Sequence, residues 1–284
     1  FDKYIKDNFS VYTFSWFGYQ ISFHPTGGQK QYTNIKKSFY NNFFSLLEKN
    51  RTQKKEIYFL SFNRLSKVHR LCIFAELMIN PLFKNKFIVS LGSIKTLNTN
   101  DTFYDMVNRD VCDTYKYDKN RLLSFYSSYD QNKHFTYDCE DFENNKAEVL
   151  NLTAHSNSFV NIVTESLINE KCVFFSEKIY KPIYSCQPFI LFGNPFSLKK
   201  LKEMGYKTFD KWWDESYDLE TDFTKRLEKI IDIMVEISSW SVEKCFKITN
   251  EMESVLIHNF NNMMIDDNVI ELYNLLSKFK KRLI

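Results

Sequence analysis

The chain has 284 residues, is 44% hydrophobic and 26% charged, and carries a formal net charge of +3 with a pI near 8.3. That length can bury one large core or two modest ones. It contains no dense basic arm of the kind that drives phosphate-backbone binding, so no nucleic acid is expected, and no apolar run approaches the ~20 residues of a membrane span or has the pattern of a secretory signal.

Six cysteines (Cys72, Cys112, Cys139, Cys172, Cys186, Cys245) lie far apart, with neither a C-x-x-C nor a zinc-finger spacing. Several fall in apolar runs, which favours a reducing, cytoplasmic compartment, with attachment at a membrane surface left open. The 28 Phe and 17 Tyr accompany abundant Asn and Lys, as in an AT-rich genome, so aromatic richness carries little functional weight. The N-x-S/T sequons at Asn8, Asn50, Asn100 and Asn151 are expected by chance in so Asn-rich a chain. The chain begins at Phe1 rather than Met, which leaves open an anchor or a further domain upstream.

In chain order, "NIKKSFYNNFFSLLEKN" (34–50) predicts a helix, and Glu56 to Ser61 an apolar strand. "NRLSK" is a polar turn. Val68, Leu71, Cys72, Ala75 and Met78 recur at helical spacing, and Asn80–Pro81 ends that helix. "KFIVSLG" reads as a second strand, completing a strand–turn–helix–strand unit. Residues 94–148 are polar and aromatic and read as irregular helices or an insertion. "SFVNIVTES" returns to strand. "VFFSEKIYKPIYSCQPFILFGNP" (173–195) reads as strand, charged turn, helix and strand. "SLKKLKEMGYKTF" predicts a helix closed by Gly205, then a short strand. Three helical stretches follow, 222–237, 241–260 and 268–283. Alternating strands and helices predict an α/β fold with a parallel Rossmann-type sheet flanked by helices.

In such sheets ligands sit where strands end and helices begin. Two junctions here carry cations: Arg70 in the first turn of its helix, after Arg64 and Lys67, and Lys178 just after Ser176, a candidate cap. A cation at a helix N-terminus opposes the dipole by ~0.3–1 kcal/mol, which an anion in the same site would offset. A diphosphate fits that description. Glu177 favours the dipole and could accept from a ribose diol. Pro182 leaves two possibilities, a helix capped at Ser176 with Pro182 in its second turn, or a helix starting at Pro182. The plainer alternative is a solvated helix start in which Glu177 and Lys181 form an i,i+4 ion pair. Glu165 at the end of "NIVTE" reads equally as a strand-end cap or a functional acid. His24 in "SFHPTGG" is either a turn histidine or a base near an acceptor. In "WWDESYD" the acids Asp214, Glu215 and Asp218 read as part of an aromatic anchor and a capped helix rather than a metal motif. No metal and no cofactor is predicted.

"FLSFNRLSKVHR…AEL", "NIVTES", "FFSEKIYKPIYSCQPFILFG" and "LKEMGYKTFDKWWDESYD", in that order, resemble a glycosyltransferase-like family of bacteria and large viruses. More distantly, the same order is similar to the donor-binding half of α-1,3-fucosyltransferases. The likeness covers about residues 56 to 235. It implies a two-lobed GT-B-like fold, with 1–54 as a short acceptor-side lobe, 55–245 as the donor-binding domain and 246–284 as closing helices. It implies inverting, metal-independent transfer from a nucleotide-sugar co-substrate, GDP-fucose among the options, to a glycan hydroxyl. By position, Arg70 would meet the diphosphate, Glu177 the ribose and Lys178 the phosphates, with Lys181 in support. Asn63, Arg64 and Glu165 match family motifs without a fixed role. The segment that holds the fucosyltransferases' base does not align with residues 1–54, so Glu165 and His24 are the candidates for deprotonating the acceptor.

Two rivals differ in class. One is a nucleotide- or glycan-binding module of surface-polysaccharide assembly that turns nothing over, favoured by the short acceptor lobe. The other is a base-glycosylating enzyme of nucleic acid, opposed by the mild charge. Oligomeric state is not legible.

Overall fold

Four near-continuous apolar runs become strands: β1 (Ile57–Asn63), β2 (Phe87–Leu91), β3 (Ser158–Thr164) and β4 (Phe189–Phe192). The computed structural model describes residues 29–63, 67–91, 125, 151–168 and 173–264. All neighbouring strands run parallel, in the order β2-β1-β3-β4. Every residue of β3 and β4 is buried, as expected where both faces of a parallel sheet are covered. The chain adds β2 on one side of β1 and then returns to add β3 and β4 on the other. That reversal makes the carboxyl ends of β1 and β3 a topological switch point, the place where a crevice is expected in sheets of this kind.

The β1–β2 ladder reaches the last residues of both strands, pairing Asn63 with Leu91. The β1–β3 ladder pairs Ile57 with Ser158, Phe59 with Val160 and Leu60 with Asn161. Beyond it the link is through side chains. Ser61 Oγ donates to the Ile162 carbonyl at 3.3 Å, and the Thr164 hydroxyl donates to Asn63 Oδ1.

The helices follow local signals closely. α1 (Gln29–Thr52) contains the predicted 34–50, and α2 (Val68–Ile79) has the predicted bounds. Asn80 ends α2, and its side chain accepts from Leu82 N to open a short 3-10 turn, Pro81–Phe83. α3 (Leu152–Asn157) is capped by Asn151, and α4 (Glu177–Tyr184) by Ser176 with Pro182 inside it, which decides between the two possibilities for that helix. α5 (Ser197–Glu203) ends as expected: Gly205 has φ 84, a conformation side-chain-bearing residues avoid. α6 (Phe223–Ser238) is capped by Asp222.

Three expectations are corrected. Val173–Phe175 forms no strand; these residues are an irregular lead-in to α4 in which Phe174 is 44% exposed. A three-residue apolar run cannot by itself distinguish the two. The segment after Gly205 forms no strand either, because the Asn259 side chain takes both backbone groups of Lys207, at 2.7 and 2.8 Å. The helix expected over 241–260 is two, α7 (Val242–Glu251) and α8 (Glu253–Met264). The expectations for 94–148 (Phe125 apart), 268–283 and the first 28 residues lie outside the described residues.

One hydrophobic cluster runs from Phe43, Leu46 and Leu47 on α1, through the sheet, to Phe260 and Met263 on α8. Phe43 and Phe260 stack at 3.9 Å between centroids, and Asn42 Nδ2 donates to the Tyr184 hydroxyl at 2.9 Å. α1, which the resemblance puts in an acceptor lobe, therefore packs on the same core as the sheet. Asn50 is buried there and donates to the Cys186 carbonyl at 2.7 Å. Cys72, Cys186 and Cys245 are buried free thiols.

Lys55, just before β1, is 7% exposed and has no ion-pair partner among the described residues. Burial pushes its pKa from 10.5 down to about 8, against a weaker opposing effect of Cys186. The folded state therefore binds fewer protons than the unfolded state between about pH 8 and 10.5, and stability rises with pH across that window. Lys55→Met should abolish that rise and add ~1–3 kcal/mol at pH 7. Denaturant unfolding of both proteins at pH 7 and pH 10 checks both effects.

Candidate functional site

At the switch point, polar side chains replace the apolar ones of the strands. Asn63 is buried, donating to Ser61 Oγ at 3.1 Å and accepting from Thr164. Next along, Lys67 donates to the Ser166 carbonyl at 2.6 Å. The first turn of α2 supplies His69 and Arg70, both buried. Arg70 Nη2 reaches the carbonyls of Thr164 (3.5 Å) and Glu165 (3.3 Å) and the Ser166 hydroxyl (3.4 Å). His69 Nε2 meets the Glu165 carbonyl at 2.7 Å. Burial, with the Arg70 charge beside it, holds His69 down at about 3, so the ring is neutral and Nε2 donates.

The mouth of α4 faces these groups. Ser176 Oγ accepts from Lys178 N, which caps the helix. Glu165 Oε2 in turn accepts from Ser176 N (3.1 Å), Ser176 Oγ (2.5 Å) and Ser166 N (3.2 Å). Lys178 Nζ lies 2.6 Å from Glu177 Oε1, 3.4 Å from Ser166 Oγ and 3.5 Å from Ser176 Oγ. Arg70 from α2 and Lys178 from α4 thus converge on one hydroxyl, that of Ser166.

Lys67, Arg70 and Lys178 face Glu165 and Glu177. Glu165 is 0% exposed, and burial raises its pKa against the Ser176 hydrogen bond and the Lys178 charge, which favours the neutral acid. Burial also pushes Glu177 upward, but Lys178 and lesser partners outweigh it and hold Glu177 below the usual carboxylate range. Arg70 is lowered by burial to about 10, opposed by Glu165 and Glu177, and stays cationic at neutral pH.

The chain matches no family model, no curated protein and no solved structure.

Asn63, Arg70, Glu165, Glu177 and Lys178 come together at the crevice. Lys181 lies further along α4, and its charge still acts on Glu177. The alternative Glu177–Lys181 ion pair gives way to the 2.6 Å pair with Lys178. Arg64 and His24 lie outside the described residues. Glu165, expected as a strand-end cap or a functional acid, is an enclosed group that ties Ser176 to the end of β3. Among the described residues its Oε1 has no hydrogen-bond partner.

Ser166 and Arg226 drew no notice in the sequence. Arg226 is fully buried on α6, donates to the carbonyls of Glu220 (3.0 Å) and Ile168 (3.2 Å), and lies 5.7 Å from the Phe192 ring centroid. It ties the loop after β3 to α6. The available signal was its place on the apolar stripe Phe223, Leu227, Ile230, Met234. Gly193, after β4, is a close-approach position: a Cβ there would lie 2.8 Å from Ser197 Oγ and 3.6 Å from Glu165 Cγ. The acids of "WWDESYD" each serve separate donors: Asp214 takes Ser216, Glu215 takes Thr208 and Phe209 N, and Asp218 takes the N–H groups of Leu198 and Lys199. Among the described residues no group of His, Cys, Asp and Glu is placed to hold a metal ion, and no helix is long and apolar enough to cross a membrane.

Ser176→Ala removes the cap of α4 and one donor to a buried acid. It should cost ~1–2 kcal/mol in urea unfolding, with Ser176→Thr recovering most of the loss. An unchanged midpoint for the alanine variant would show that Glu165 does not depend on this hydroxyl.

Proposed function

We propose that the chain is a GT-B-like glycosyltransferase that moves a sugar from a nucleotide-diphosphate donor, GDP-fucose among the options, to a glycan hydroxyl with inversion and without a bound metal. One observation carries the reading: Arg70 and Lys178, from different helices, converge on Ser166 at the switch point of a parallel sheet. Sugar transfer leaves negative charge on the departing diphosphate. Cations fixed in a partly dry crevice, with the N–H groups at the mouth of α4, would stabilise that charge. In this reading Arg70 and Lys178 take the phosphates, and Lys181 adds longer-range charge. Glu177 accepts from the ribose, and Asn63 borders the same mouth. The setting would be cytoplasmic.

The acceptor's base is Glu165 or His24. For Glu165 that role requires the crevice to open around Oε1. Its enclosure favours the second reading, a nucleotide-binding module without turnover.

Thermal unfolding with GDP, UDP and CMP separates these readings from a chain that binds none. A cognate nucleotide should raise the melting temperature in a concentration-dependent way, and no response to any of the three would remove the proposal. Lys178→Ala should weaken that nucleotide about tenfold or more. Arg70→Lys is the usable partner variant, because Arg70 is fully buried on two backbone carbonyls and Arg70→Ala would damage the fold as well. Release of sugar from the matching nucleotide-sugar then distinguishes enzyme from binder, and full turnover by Glu165→Gln would exclude that acid as the base.

A further inference from the structure

Three strong polar features stand out in the described residues: the Ser166 hydroxyl, the buried Arg226 strap, and the buried group of Lys55, His155 and Gln187 at the amino ends of the strands. Arg226 holds the loop after β3, His155 and Gln187 bond each other, and Lys55 is a buried cation that costs the fold stability. Ser166 has a capacity that the fold leaves unused.

We propose that Ser166 is the neutral donor of the crevice: its oxygen accepts from Arg70 and Lys178, and its proton goes to a phosphate oxygen of the ligand. This rests on the diphosphate reading above and adds a binding residue to it.

A hydroxyl has two acceptor lone pairs and one proton. Arg70 Nη2 and Lys178 Nζ each lie 3.4 Å from Ser166 Oγ, on the acceptor side. Neither cation can take a proton from it, because both are donors only. Among the described residues, Ser166 Oγ donates to no acceptor. Two adjacent positive charges also polarise the O–H bond, which strengthens it as a donor.

The side chain cannot easily be carried elsewhere by its backbone. Ser166 N donates to Glu165 Oε2 at 3.2 Å, and its carbonyl accepts from Lys67 at 2.6 Å. Both cation contacts are long compared with the usual ~2.7–3.2 Å. An anion oxygen seated beside the hydroxyl could draw in all three donors, and sites of this kind tighten when occupied. The ligand class is therefore a phosphate-bearing anion that accepts from two cations and one neutral hydroxyl at the same locus.

The test is titration of the full chain with inorganic pyrophosphate by calorimetry, for the wild type, Ser166→Ala, Ser166→Cys and Ser166→Thr. A structural role and a donor role predict opposite signs. If the oxygen only satisfies the cations, its loss frees them, and the alanine variant binds pyrophosphate as well as or better than the wild type. If the hydroxyl donates to the anion, Ser166→Ala loses about tenfold in affinity. Ser166→Cys, whose thiol is a weak donor of similar size, should lose nearly as much, and Ser166→Thr should stay within about twofold. The cysteine variant carries the test if the alanine variant does not fold. Wild-type binding with unchanged or tighter affinity in the alanine and cysteine variants overturns the role of Ser166 alone. A threonine variant as weak as alanine also overturns it, since shape rather than the donor would then matter. A wild type that binds neither pyrophosphate nor any nucleotide overturns the diphosphate reading itself.

Discussion

The carboxylate of Glu165 is the joint on which the crevice depends. It sits at the end of β3, wholly buried, and its Oε2 gathers three donors from two segments. Burying a carboxyl group is costly unless it is hydrogen-bonded, so these donors are conditions of its presence there. Ser176 is also the cap of α4, and through it the acid fixes where that helix begins relative to the sheet. Arg70 is referenced to the same place from the other side, through the carbonyls of Thr164 and Glu165. Lys178 and Arg70 therefore share an origin although 108 residues of chain separate them in sequence. Neither can shift without disturbing residues 164–166.

Much of the frame was legible because local signals agree with the fold. Val68–Ile79 is bounded by a polar turn and by Asn80–Pro81, and both limits hold. The strands are apolar runs of the right length, and the charges at Arg70 and Lys178 stand out against buried neighbours. The α/β class with a parallel sheet follows from that alternation. The failures come where a distant side chain decides the backbone. Val173–Phe175 leads to Ser176, whose N–H is taken by an acid 11 residues earlier, and Lys207 is held by Asn259, 52 residues later. No window of local pattern holds Lys207 and Asn259 together, and one that holds Glu165 and Ser176 gives no sign that they meet.

Depth was the least legible property. A carboxylate at a strand end and an arginine in a first helical turn are ordinary surface features in sequence, yet Glu165 is 0% and Arg70 2% exposed. Their burial is a property of the tertiary packing around the end of β3, where Arg226 also holds the loop that leads away. Ser166 was invisible for another reason. A serine has no periodicity and no charge, and its importance lies only in standing where two cations meet.

That meeting has an energetic consequence. Arg70 Nη2 and Lys178 Nζ lie within 3.4 Å of a common oxygen, so their separation is below about 7 Å. At an effective dielectric of about 20 two such charges repel by roughly 2 kcal/mol. Glu177 relieves Lys178 directly, while Glu165 is pushed by burial toward its neutral form and relieves Arg70 less than a free carboxylate would. The cations are nevertheless held together, Arg70 by backbone carbonyls and Lys178 by Glu177 and the mouth of α4. In the reading proposed above, an anion would therefore meet donors already in position rather than donors it must gather.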